Sequence, residues 1–170
     1  VNCILYNYPQ ENSLIGVFNK KYNLNFEEVK PIPPLGEYAI AEVFKRKITN
    51  LVSNISSELS GIKEKNGNIA IFGAGHRAVV FINLLGISEF VSYIIDDDPN
   101  KHNLLIPTSG IKIISSNQIN KHDIGVCIFA ISLNAELKLI KILTEKINKN
   151  IKFFSISPDS RNSLPIFCVI

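Results

Sequence analysis

The pattern Gly73-Ala74-Gly75-His76-Arg77-Ala78, set directly behind the apolar run Asn68-Ile69-Ala70-Ile71-Phe72, constrains this chain more than any other feature. A short apolar run that stops at a glycine reads as a buried parallel strand. Residues from about His76 to Leu85 then carry a helical pattern. The Gly-x-Gly-x-x-Ala motif therefore falls where a strand turns into a helix. In that setting the first glycine permits the tight turn, the second lets a ligand approach the backbone, and the small third residue lets the helix pack close to the strand. The start of such a helix offers free N–H groups and the positive end of its dipole, both suited to a phosphate.

The segments that follow repeat the alternation. Phe90–Ile95, rich in β-branched and aromatic residues, predicts a second strand that ends in the turn Asp96-Asp97-Asp98-Pro99, completing a βαβ unit. Ile111–Ile114 predicts a short strand, Ser115-Ser116-Asn117-Gln118 a turn with a cap, and Ile124–Ile131 a continuous apolar strand. Ala135–Ile147 carries helix-spaced Leu137, Ile140, Leu143 and Ile147, and Lys152–Ile156 is a further strand. Strands alternating with helices imply an α/β fold, a Rossmann-like, mostly parallel, doubly wound sheet, with residues 68 to about 156 as a nucleotide-binding domain.

Upstream, Ile40, Phe44, Ile48, Leu51, Ile55, Leu59 and Ile62 recur at steps of four, four, three, four, four and three, which predicts one long amphipathic helix from Glu37 to Lys65. Its apolar stripe is expected to bury across the sheet or an adjacent domain. Cys3–Tyr8 and Ser13–Phe18 read as an antiparallel hairpin around Pro9-Gln10-Glu11-Asn12, followed by the breaker-rich linker Pro31–Gly36. A lone hairpin is marginal in water, so it is expected to complete a sheet belonging to an upstream domain. The resulting division is residues 1–36 as hairpin and linker, 37–67 as the long helix, and 68–170 as the Rossmann-like domain. A start at Val1 and the absence of methionine point to a piece of a longer polypeptide.

Composition narrows the partners. A chain of 170 residues, 46% hydrophobic and 19% charged, holds one well-buried core and no apolar run of the ~18 residues a membrane helix needs. The formal charge of +3 is dispersed rather than gathered into a basic stripe, which argues against nucleic acid. Cys3, Cys127 and Cys168 are odd in number and lack metal-ligand spacing, so reduced thiols and a cytoplasmic location are expected, with Cys127 a small core residue.

The candidate ligand contacts cluster around the glycine motif. Gly73 and Gly75 offer the backbone, while His76 and Arg77 place positive side chains in the first helical turn, against the helix dipole, where a nearby phosphate or carboxylate would account for them. Asp96, twenty-three residues after Gly73, stands where dinucleotide folds put the acid that accepts from a ribose hydroxyl, and the turn-forming role before Pro99 is the plainer alternative. Lys101 and His102 follow that turn. No nucleophile elbow, Walker lysine or HExxH pattern is present, and neither a catalytic residue nor a metal ligand is assigned.

Three runs, Phe72–Ala78, Asn83-Leu84-Leu85-Gly86-Ile87 and Tyr93–Lys101, resemble the C-terminal domain of the S-adenosylmethionine-dependent sugar C-methyltransferases, and Ile106-Pro107-Thr108-Ser109-Gly110-Ile111-Lys112-Ile113-Ile114-Ser115 extends the likeness. Where many members of that family show Ala-Lys-Gly, this chain has His76-Arg77-Ala78, which keeps a positive charge in place. The resemblance implies a domain that helps hold a nucleotide-linked sugar and partners an upstream methyltransferase domain. S-adenosylmethionine, zinc and the catalytic base would then lie upstream, leaving no cofactor in this chain and the chain alone inactive. Gly73, Gly75, His76, Arg77, Asp96 and Lys101 become the expected substrate-binding residues. Two other readings stay open: an NAD(P)-binding Rossmann domain that uses Asp96, and a nucleotide-sugar-binding domain like that of bacterial sugar acyltransferases.

Overall fold

The computed structural model describes the backbone of Cys3–Asn7 and Leu14–Phe18, residues 35–147 and residues 150–168. The chain divides into two compact units, Val1–Tyr38 and Ala39–Ile170. In the first, β1 (Cys3–Asn7) pairs antiparallel with β2 (Leu14–Phe18), setting Cys3 opposite Phe18 and Asn7 opposite Leu14. That is the expected hairpin; its turn and the linker 31–34 fall outside the described residues.

The second unit holds a five-stranded sheet. Its strands are β3 (Asn68–Phe72), β4 (Val91–Ile95), β5 (Ile113–Ile114), β6 (Ile124–Phe129) and β7 (Lys152–Ser155), in the order β5-β4-β3-β6-β7. Every neighbouring pair is parallel. β3, whose last four residues are all buried, lies at the centre, as its unbroken apolar run required. Four strands, β4 to β7, are shorter than their apolar runs by one or two residues. Ser88–Phe90 forms a 3-10 turn ahead of β4, and Lys112 pairs antiparallel with Leu105 instead of extending β5. Beyond β6 the Ala130 N–H still donates to Phe72 O, 2.9 Å away, but Ile131 belongs to a loop.

Helices cover both faces. The strands alternate, so Ile69 and Ile71 of β3 join Val126 and Ile128 of β6 on one face, against Ile55 and Leu59 of α1 (Leu35–Asn66) and Ala78, Phe81, Ile82 and Leu85 of α2 (His76–Leu85). Ala70, Phe72, Cys127 and Phe129 point to the other face, where α3 (Leu133–Lys146) brings Leu143, with Leu139 and Ile140 partly buried beside it. Cys127 is the core residue expected, and burial pushes its thiol well above the ordinary range. The end of α1 crosses the start of β6 so closely that a Cβ on Gly125 would lie 1.5 Å from Asn66 O, so only glycine fits there.

The long helix exists as expected, but burial of its whole apolar stripe does not. Ile55 and Leu59 are fully buried, whereas Ile40 is 70% and Phe44 64% exposed. Helical spacing shows that these residues share a face; it does not supply a surface for each of them to cover.

Candidate functional site

The order of the strands locates the site. From central β3 the chain steps to β4 on one side and later to β6 on the other, so the connections diverge beyond the C-terminal ends of β3 and β6. Open α/β sheets leave a crevice at such a switch point, and ligands bind there. One wall is the Gly73–Gly75 loop with the start of α2. The other is the Ala130–Ser132 loop leading into α3.

Gly73 turns the chain out of β3 with φ of 104°, a conformation L side chains avoid, and its N–H donates to Ile95 O at 2.7 Å. A Cβ at this position would come within 2.8 Å of Ile131 Cγ2 and 3.2 Å of Ala130 O. Gly75 differs in every respect. It is the N-cap of α2 with an ordinary extended backbone (φ −110°, ψ −177°), and a Cβ there would meet nothing within 4 Å. No side chain caps the helix and no acidic residue occupies its first turn. Among the described residues nothing demands glycine at position 75, and the approach to the helix start is open. Ala78 is completely buried against the sheet, as the small third residue of the motif requires.

Asp96, at the tip of β4, reaches back to this loop. Its Oδ2 accepts from the Ala74 N–H at 2.8 Å and from Lys101 Nζ at 3.0 Å, and its Oδ1 accepts from the Asp98 N–H at 3.0 Å. Burial pushes this carboxyl up, but the Asp98 N–H, the Lys101 ammonium and the Ala74 N–H outweigh that and hold it below the usual aspartate range. The other two acids of the turn are also engaged. Asp97 accepts from the Ser116 N–H and hydroxyl at 2.9 and 3.0 Å, and Asp98 accepts from the Asn100 N–H at 3.0 Å. His102 Nε2 lies 2.9 Å from Asp96 O. Gly73, Gly75, Asp96 and Lys101 thus form one connected unit in which the Asp96–Lys101 pair braces the loop.

His76 and Arg77 are exposed at the start of α2. Arg77 spans the crevice, its Nη1 donating to Ile131 O at 3.0 Å, so its guanidinium lies at the mouth of the switch point. His76 borders a cavity of about 310 Å³ whose wall is apolar, with Ile48, Val80, Leu84 and Ile156. Of the expected residues, Arg77 reaches the opposite wall with its side chain, and Lys101 is turned inward onto Asp96.

Sequence reasoning missed the second wall. Glu136, in the first turn of α3, is 3% exposed and accepts from the hydroxyls of Ser155 and of Ser160, the latter at 2.6 Å. Those serines in turn accept from the Ser157 and Asn162 N–H groups at 3.1 and 3.0 Å, tying the loop after β7 to α3. The spacing Ser155-x-Ser157-x-x-Ser160 was visible, but its carboxylate partner stands nineteen residues ahead of Ser155.

With this geometry in place, comparison with known proteins gives one answer. The C-methyltransferase C-terminal domain family model matches residues 33–158. The chain belongs to that family. The match runs from the start of α1 to just past β7 and so takes in the whole five-stranded sheet and both walls of the crevice. No curated protein matches the chain.

The groups the resemblance implies can be tested against these residues. Among the described residues no three His, Cys, Asp or Glu side chains gather in a way that could hold a metal ion. The adenosine of S-adenosylmethionine or of a dinucleotide would look for a ribose acceptor at Asp96, whose carboxylate already takes three donors. An ionised carboxylate offers about four acceptor sites, and on Oδ1 only the Asp98 N–H is bound among the described residues. Among the described residues no helix is long and apolar enough to cross a membrane.

Proposed function

We propose that this C-methyltransferase C-terminal domain holds a nucleotide-linked sugar at the switch point, while S-adenosylmethionine, zinc and the catalytic base belong to an upstream methyltransferase domain. The observation that carries this reading is the contrast at Gly75: a helix start without a capping side chain, without acidic residues and without any neighbour that would exclude a side chain, flanked by Arg77. Such a helix start attracts the diphosphate of a nucleotide sugar through its N–H groups and dipole, and Arg77 adds a guanidinium suited to bidentate contact with phosphate. Gly73 and Gly75 admit the phosphate to the backbone, His76 flanks it, and Asp96 with Lys101 fixes the loop that receives it. The same brace holds Oδ2 of Asp96 on the loop, and the NAD(P) alternative is separated from the sugar-nucleotide reading by the ligand panel below.

The test is the thermal unfolding midpoint of the chain against TDP-glucose, UDP-glucose, NADH and S-adenosylmethionine. A ligand at about one hundred times its Kd stabilises by ~2.7 kcal/mol. A shift with a nucleotide sugar, absent with NADH and S-adenosylmethionine and reduced in Arg77→Ala, is the expected result. A shift with NADH or S-adenosylmethionine alone, or none with either sugar nucleotide, overturns the proposal.

A further inference from the structure

A second cavity, of about 530 Å³, lies between α1 and the C-terminal segment and has a different chemistry. Its helical wall carries Lys47, Asn50, Asn54 and Glu58, and Pro165 and Ile166 face them. The four polar residues are spaced three, four and four apart, so they form a single row along the helix. At ~1.5 Å rise per residue, Asn50 and Asn54 stand about 6 Å apart along the axis and Lys47 and Glu58 about 16 Å. An extended peptide repeats every ~6.6 Å per two residues and covers about 16 Å in five. Each Asn carboxamide both donates and accepts, as a peptide unit does.

The row is also charged oppositely at its ends. Arg46 adjoins Lys47 at one end, and Glu58 stands at the other, its Oε1 shielded from solvent and without a hydrogen-bond partner among the described residues, while the Ile166 N–H faces the carboxyl. The negative charge of this carboxylate attracts an ammonium or guanidinium that enters the groove. A single sugar ring or phosphate would meet one end of the row and leave the other unmet.

We propose that this groove binds an extended peptide segment of a partner protein, with an acidic side chain toward Arg46 and Lys47 and a basic side chain, four to five residues away, beside Glu58. The backbone of that segment hydrogen-bonds to the carboxamides of Asn50 and Asn54. This inference is independent of the nucleotide-sugar reading, since the groove shares none of the residues assigned to the switch point.

The experiment is selection of a displayed library of random heptapeptides on the 170-residue chain, on Glu58→Lys and on Arg77→Ala. The unaltered chain and Arg77→Ala are expected to enrich peptides with an acid and a base four or five positions apart, and Glu58→Lys to replace the base by an acid. The isosteric Glu58→Gln should weaken the consensus peptide about ten-fold, the loss of one charge-assisted hydrogen bond. Absence of an acid-and-base consensus overturns the proposal, as does the same consensus from Glu58→Lys. A thermal shift with glucose 6-phosphate that disappears in Glu58→Gln overturns it in favour of a small phosphorylated sugar.

Discussion

The loops that leave β3 and β4 stand side by side at the same edge of the sheet, yet they are built in opposite ways. After β3 the chain offers donors: a helix start without a side-chain cap, opened by Gly75 and flanked by Arg77. After β4 it offers acceptors, Asp96, Asp97 and Asp98, and every one is engaged by a neighbour within the domain. Two strand tips with equally suggestive residues therefore have different parts to play. The acidic tip gives shape to the loop, and the glycine tip keeps a helix start without a side-chain cap. A polar residue at the edge of a sheet becomes available for binding only if the fold has not already satisfied it.

Substitutions at four positions test that contrast. The largest effect is expected of Gly73→Ala, which combines a φ of 104° with a Cβ 2.8 Å from Ile131 Cγ2. Strain and overlap together should cost about 3 kcal/mol in urea unfolding, and a cost below ~1 kcal/mol would mean that the two walls of the crevice yield easily. Asp96→Ala comes next. It leaves the Ala74 N–H without its acceptor and removes the Lys101 pair, for a loss of about 2 kcal/mol.

Because the folded Asp96 carboxyl lies below its ordinary value, its contribution should be present above the unfolded value of ~3.9 and disappear as pH falls through the lower folded value. The stability difference between the unaltered chain and Asp96→Asn should shrink in that acid window. A difference that holds constant to low pH would show that the brace is not ionic.

Gly75→Ala is expected to change stability by less than ~1 kcal/mol, since the position is an ordinary N-cap in open space. Its effect should fall on the nucleotide-sugar shift, which a methyl group at the helix start would abolish. Retention of the full shift would remove Gly75 from the site.

Glu58 tests the smallest effect and offers the converse of Asp96, a carboxylate short of donors. Burial raises its pKa, against the opposing Ile166 N–H. Its folded form is thus most favourable below the unfolded value, and that advantage is lost as pH rises through the folded one. Glu58→Gln should then stabilise by a few tenths of a kcal/mol at neutral pH, the effect being screened by solvent, and by nothing in acid. Destabilisation at neutral pH would mean that the groove already supplies Glu58 with a partner.

Much of the architecture was legible before any coordinates. The span of α2 agrees residue for residue, and the parallel strands lie within one or two residues of their apolar runs, because a buried strand between turn residues leaves a local trace. The Gly73 turn was legible for the same reason, since a positive φ is a local requirement that glycine meets. What was not legible depends on residues far apart in the chain. The sequence offers Asp96 a turn and a ribose to contact, but it does not show that Oδ2 accepts from the Ala74 N–H, twenty-two residues earlier. Glu136 reads as an ordinary helical acid until Ser155 and Ser160 are found around it.

The same division holds along α1. That a helix forms there, and which residues share its face, follows from a repeat matched to 3.6 residues per turn and is local to the segment. That Ile55 and Leu59 are buried while Ile40 and Phe44 stay exposed follows from what the rest of the chain packs against each of them. Periodicity is a property of one segment, whereas burial and hydrogen-bond satisfaction are properties of pairs of surfaces, and the second surface is supplied by the fold.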